Sequence, residues 1–215
     1  MILLVSPSLL ISCKSSKDLS ENRYCPNKVF RCINEKKTLE IITNRGSLIL
    51  EIDGNLAPLT SGNFLDLAGK GIYNKTTFNQ VIKKPKPFVI RGGNPSIRID
   101  SYGNNKTEIE NYIDPVKGTV RFIPLEIALN NEPYPRYNQL MKKQTIEKIS
   151  LKHTKGSIAM LRSEPLDSAS AQFYISLRDL PELDGRYAVF GHVIRGLDIL
   201  EKIEEGDYIL SIGSI

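Results

Sequence analysis

From Thr38 onward, apolar and polar positions alternate with the two-residue period of a strand. Leu39, Ile41 and Thr43 alternate with Glu40 and Ile42. After the turn signal Asn44-Arg45-Gly46, Leu48, Leu50 and Ile52 alternate with Ile49, Glu51 and Asp53, which predicts a hairpin. Ala57-Pro58 opens a helix, because Pro is preorganised for a first turn; Phe64, Leu67 and Ala68 form its inner stripe, and Gly69 and Gly71 end it. Residues 76–82 and 87–95 predict two apolar strands joined by Lys83-Lys84-Pro85-Lys86. By strand period, Gln80 shares a face with Phe78 and Ile82, and Arg91 with Val89. Gly92-Gly93 then allows a turn or a close approach. One hydrogen-bonding head per strand among apolar neighbours suits a small binding groove, or an ordinary hairpin with two solvated polar residues.

Residues 96–155 are the least regular. Ile97, Ile99 and Tyr102 suggest strand, Asn104-Asn105 a turn, Pro124 an edge or irregular segment, and residues 139–150 a short helix. A stretch this long without clear elements is functional or inserted. Order returns at Gly156, with strands over 156–161, 171–176 and 187–194. In the second of these, Gln172 and Tyr174 share one face and Phe173 and Ile175 the other. Gly191 suggests a bulge or close approach. Leu197, Leu200 and Ile203 form a helical stripe, and residues 208–212 a last strand. Many strands with two amphipathic helices and no βαβ alternation predict a mainly β, antiparallel barrel closed by helices.

Composition changes this picture little. The 215 residues are 40% hydrophobic and 25% charged, with a net charge of +5. The basic residues are scattered and not interleaved with aromatics, so the charge reads as solvated surface and no nucleic-acid partner is expected. The cysteines alter the picture more, since Cys13, Cys25 and Cys32 all lie in the first 32 residues. Residues 1–13 resemble the apolar core of a secretory signal, too short to span a bilayer as a helix. Leu10-Ile11-Ser12-Cys13 resembles a bacterial lipobox, which would lipidate Cys13, although no Lys or Arg precedes the apolar run in these residues. Residues 14–37 then form a polar tether, in which Cys25 and Cys32 would close a disulfide loop in an oxidising compartment. The alternatives are a frayed apolar N-terminus, free thiols and a cytoplasmic protein.

Several chemistries lack their residues. His153 and His192 are far apart, with no zinc-site spacing; they read as structural or surface residues. Neither a phosphate-cradling glycine loop nor a nucleophile elbow is present. No metal or cofactor is expected.

From Thr38 to the C-terminus, motifs occur in a recognisable order: residues 46–51; Ala57-Pro58 with Asn63-Phe64; Tyr73 with Thr77-Phe78; Phe88 with Gly92-Gly93; residues 156–160, 167–175 and 183–191. In these the chain resembles the cyclophilins, the barrel-fold peptidyl-prolyl cis-trans isomerases, and particularly their bacterial branch. The resemblance implies an eight-stranded antiparallel barrel with a helix at each end and a groove on its outer face. It implies rotation about X–Pro bonds of unfolded or exported polypeptides, by a monomer, with no covalent chemistry. Carried over by position, Phe88, Val89, Tyr174 and Leu183 would form the Pro pocket. Gln172 and the backbone near Arg162 would hold the peptide, with Leu161, Ser163 and Tyr187 completing the groove.

The chain departs from the family pattern in two places. The family's His-Arg pair is Asn79-Gln80 here, and that Arg is its principal catalytic residue. Where the family has Gln before the Gly-Gly pair, this chain has Arg91. Either Arg91 supplies the guanidinium from the adjacent strand while Gln80 takes the orienting role, or the groove has drifted into a weakened or inactive module that binds Pro-containing segments or a partner protein.

Overall fold

The computed structural model describes residues 25, 31–99 and 111–215. The apolar leader with Cys13, most of the tether, Tyr102 and Asn104-Asn105 lie outside the described residues. In chain order the elements are β1 (Lys36–Thr43), β2 (Gly46–Asp53), α1 (Pro58–Gly69), β3 (Gln80–Val81), β4 (Val89–Gly92), β5 (Ile113–Asp114), β6 (Thr119–Val120), β7 (Glu126–Ile127), β8 (Arg136–Tyr137), α2 (Lys143–Ile146), β9 (Ser157–Met160), β10 (Phe173–Ser176), β11 (Val189–Arg195), α3 (Leu197–Lys202) and β12 (Ile209–Ser214). A 3-10 turn, Pro181–Leu183, precedes β11.

Eight strands form one antiparallel sheet in the order β12-β1-β2-β11-β9-β10-β4-β3. Its edges meet through an antiparallel bridge between Thr77 and Tyr208, where Phe78 N–H donates to the Asp207 carbonyl at 2.7 Å. The sheet therefore curls into the barrel that the alternation predicts. Leu39, Ile41, Leu48, Leu50 and Ile52 of the first hairpin are fully buried inside it. Gly191 lies where β11 shifts register, and a Cβ there would stand 2.4 Å from the Glu51 carbonyl, so the close approach is to β2.

Helix α1 contributes Phe64, whose ring lies 4.9, 5.5 and 5.1 Å from those of Tyr73, Phe173 and Phe190. The helix is buried beyond the expected stripe, because Thr60, Ser61, Gly62 and Asn63 are covered too. Residues 31–33 cross it at Gly62, where a Cβ would stand 1.7 Å from the Arg31 carbonyl oxygen. Ile33, 8% exposed, joins the core, and its N–H donates to the Pro58 carbonyl at 3.1 Å. Cys32 beside it is bridged to Cys25. Packing thus begins upstream of Thr38.

The described part of residues 96–155 is a packed lobe. It holds the small hairpins β5–β6 and β7–β8, the four-residue helix α2 and a minor core of Leu125, Ile127, Leu129 and Ile149. A buried carboxylate fastens it to the barrel. Helix α1 starts with Ala57, which offers no side-chain cap, and Pro58, which has no N–H to satisfy. Glu126 accepts the next two donors, Leu59 N–H at 3.1 Å and Thr60 N–H at 2.8 Å, together with the Tyr137 hydroxyl at 2.8 Å. Burial pushes this carboxyl above its usual range, and the three donors oppose the shift. Replacing Glu126 with Ala strands two helix donors away from water, and a cost of about 2–4 kcal/mol is expected. A lower urea midpoint at unchanged slope would show it, with a smaller loss for Glu126→Gln, which keeps one acceptor.

Candidate functional site

The outer face of the sheet carries a row of side chains set by strand pairing. Gln80 on β3 pairs with Arg91 on β4, Arg91 with Tyr174 on β10, and Tyr174 with Ala159 on β9. Each is flanked along its strand by residues that point into the barrel: Ile90, Phe173, Ile175, Ile158 and Met160 are all buried in the main core. On the outer face Val89, Ala159, Tyr174, Leu180 and Val189 form a separate apolar cluster. The two-residue period thus yields a core on one side and a groove on the other.

Arg91, Val89 and Tyr174 line a shallow pocket with Phe88, Leu161, Leu183 and Tyr187. Gln80 stands beside it as the cross-strand neighbour of Arg91. Leu161 is held by its N–H donating to the Gln172 carbonyl at 2.9 Å; Gln172 itself is buried. The Arg162 guanidinium donates to the carbonyls of Arg186, Ser163 and Glu164, and it lies 5.1 Å over the Tyr187 ring. Ser163 is exposed on the loop that follows.

One reading of the strand period changes. Phe78 does not share the face of Gln80: it is fully buried in the core, whereas Ile82 packs on the outer cluster. Phe78 and Asn79 lie outside β3, and Phe78 is drawn inward by its bonds to Asp207 and Gly206. The close approach expected at Gly92-Gly93 is to the core. A Cβ at Gly93, whose φ is +77°, would stand 2.8 Å from the Phe173 ring and 3.0 Å from that of Tyr73. Tyr73 and Asn63 in turn donate to the carbonyls of Ala171 and Ser170 and so fix the approach to β10.

Polar groups at the groove are incompletely paired. Gln80 Oε1 and Arg91 Nε are both buried and have no hydrogen-bond partner among the described residues. A buried polar atom left unpaired costs about 1–3 kcal/mol. Asn79 Oδ1 beside them, and Thr60, Ser61 and Asn63 on α1, carry such atoms too.

Behind the pocket lies a chain that residue spacing did not reveal. His153, 2% exposed, has Nε2 2.8 Å from the Tyr174 hydroxyl and Nδ1 2.8 Å from Asp184 Oδ1. Burial holds His153 below its ordinary pKa, with Asp184 and Glu182 pulling the other way. His192 is exposed on β11. Among the described residues no cluster of His, Cys, Asp or Glu could hold a metal ion, and no helix is long and apolar enough to cross a membrane.

The family model "Cyclophilin type peptidyl-prolyl cis-trans isomerase/CLD" matches residues 38–210. A peptidyl-prolyl cis-trans isomerase of Helicobacter pylori is 33% identical, covering 80% of this chain and 83% of its own length. A chloroplastic peptidyl-prolyl cis-trans isomerase of Arabidopsis thaliana is 33% identical, covering 75% of this chain and 36% of its own length. The chain spans 26–46% of the length of three curated relatives that it matches. A cyclophilin type peptidyl-prolyl cis-trans isomerase of Cryptosporidium parvum, whose crystal structure was determined in the presence of the dipeptide Ala-Pro, has a TM-score of 0.60 at 25% identity. The similarity covers 83% of this chain and 99% of that one. With a matched segment that runs from β1 into β12, the chain belongs to the cyclophilin-type peptidyl-prolyl cis-trans isomerase family.

Proposed function

We propose that this chain is a peptidyl-prolyl cis-trans isomerase in which Arg91 is the catalytic cation and Gln80 its orienting neighbour. The observation that carries the reading is the cross-strand pair itself: a guanidinium with a buried, unpaired Nε and an amide with a buried, unpaired oxygen, beside an apolar pocket.

Rotation about an X–Pro bond meets a barrier of about 18–20 kcal/mol from amide resonance. Twisting the bond removes that resonance and leaves the prolyl nitrogen pyramidal and basic. A donor fixed at that point interacts with the twisted amide more strongly than with the planar one and so lowers the barrier. No bond is broken, and neither nucleophile nor metal is needed. Phe88, Val89, Tyr174 and Leu183 receive the Pro ring. Gln172 and the backbone beside Arg162 hold the flanking peptide, with Leu161, Ser163 and Tyr187 at the rim. Directly opposed residues in an antiparallel pair have Cβ atoms about 4.5–5.5 Å apart, a distance that a guanidinium on a long stem can cover. Moving the cation from position 80 to position 91 therefore keeps it at the same place in the groove. The second reading, a groove that binds Pro-containing segments without turnover, is favoured by the neutral amide at Gln80, since charge-assisted hydrogen bonds are about twice as strong as neutral ones.

The substrates we infer are Pro-containing segments of unfolded or exported polypeptides. An extracytoplasmic location, with Cys13 lipidated and the chain held at a membrane surface, is supported by the apolar run ending in Leu10-Ile11-Ser12-Cys13, by the Cys25–Cys32 bridge and by the chloroplastic relative. On this reading, mass spectrometry of the membrane fraction finds a diacylglyceryl-modified Cys13 as the new N-terminus; an intact unmodified leader would exclude the anchor.

An isomerase assay by NMR exchange on an Xaa-Pro peptide tests the catalytic assignment. Arg91→Ala is expected to lower kcat/KM by about 10²–10³-fold, the cost of one preorganised donor. The exchanged pair Gln80→Arg with Arg91→Gln is expected to retain activity. An active parent that Arg91→Ala leaves unchanged would defeat the assignment.

A further inference from the structure

Tyr174 is the one hydroxyl-bearing side chain among those that receive the Pro ring in the reading above, and a buried phenol needs a hydrogen-bond partner. It has one behind the pocket. The Asp184 carboxylate can only accept, so the Nδ1–H of neutral His153 donates to Asp184 Oδ1 at 2.8 Å. That leaves the His153 Nε2 lone pair facing the Tyr174 hydroxyl at 2.8 Å, and the hydroxyl donates to it. The direction of the whole chain, Tyr174 to His153 to Asp184, is thus fixed by the carboxylate at its far end.

The same atoms tie down the opposite wall. Asp184 Oδ1 also accepts the His153 backbone N–H at 2.8 Å, and the His153 carbonyl accepts the Leu180 N–H at 2.8 Å. Between Leu180 and Asp184 runs the 3-10 turn Pro181–Leu183, which carries Leu183 into the pocket. Tyr174 on β10 and Leu183 on the turn therefore share one buried anchor, the His153 residue just upstream of β9. None of these anchoring groups reaches the groove surface: His153 and Asp184 are 2% and 4% exposed.

We propose that His153 and Asp184 are positioning residues for the proline pocket: together they draw the Tyr174 hydroxyl out of the groove, so that a tyrosine presents only its ring to the substrate, and they set the distance from that ring to Leu183. This inference rests on the groove being the Pro-binding site. It assigns to a histidine with no access to substrate a part in substrate affinity, exerted through Tyr174.

The test is a double-mutant cycle on the full chain, read as the Kd of an Ala-Pro-containing peptide by NMR titration and, separately, as kcat and KM by NMR exchange. His153→Asn keeps a donor for Asp184 and removes the acceptor for Tyr174. It is expected to raise the peptide Kd and KM about 5–10-fold, corresponding to about 1–1.4 kcal/mol, and to change kcat less than twofold. In a Tyr174→Phe background the same substitution is expected to change neither. Nitrogen-15 NMR of the parent is expected to show His153 protonated at Nδ1 and not at Nε2. The proposal is overturned if His153→Asn weakens binding equally in both backgrounds, if it leaves the parent's affinity unchanged, or if the Nε2–H tautomer is found. A parent that binds the peptide but does not isomerise it defeats the catalytic reading and leaves this inference to the Kd cycle; a parent that binds no Pro peptide defeats both.

Discussion

The single constraint on which the site depends is strand register. On β10, Phe173 and Ile175 enter the barrel and Tyr174 faces outward; on β4, Ile90 enters while Val89 and Arg91 face outward. Side chains repeat every two residues, so a slip of one position would exchange the faces. A guanidinium would be driven into a core of Phe64, Tyr73 and Phe190, and Phe173 would be left on the surface. The cost of burying an unpaired charge excludes that alternative. The aromatic cluster inside the barrel is thereby what sets the polar row outside it, and the groove needs no separate scaffold.

A second buried group performs a comparable task for the less regular part of the chain. Glu126 reaches the first turn of α1 across 67 residues of sequence and supplies the acceptor that Ala57 lacks. The lobe that carries it also contributes Leu125, Ile127, Leu129 and Ile149, packed with Ala188 just ahead of β11. What looks in the sequence like a long irregular connection is a brace between the helix that closes one end of the barrel and the strand that leads away from the groove.

The difference between what the sequence discloses and what it withholds follows the range of the interactions. Leu39 to Ile52 and Phe173 to Ile175 announce themselves, because their period is local and their pairing partners are strands of the same character. The apolar groove residues Phe88, Val89, Tyr174, Leu183 and Tyr187 were legible through family motifs, and the structure brings them to one pocket. The side chosen by Phe78 was not legible, since it is decided by carbonyl and N–H groups of residues 206–207 across the barrel seam. Nor was the cap on α1, nor the partnership of His153 with Tyr174 and Asp184, which lie 21 and 31 residues away. Periodicity specifies which face of an element is wetted; it does not specify which distant polar group meets a particular helix end or ring nitrogen.

The crossing of residues 31–33 over Gly62 bears on where this protein can be cut. The family segment begins at residue 38, and a fragment started there would keep most of β1 and all of the groove. It would nevertheless remove Ile33 from the core and expose the small-residue surface of α1 at Ser61 and Gly62, together with the Pro58 carbonyl that Ile33 now satisfies. The cooperative folding unit therefore extends beyond the region that defines the family. The bridge at Cys32 fastens the last piece of that unit at the point where the tether ends and the barrel begins.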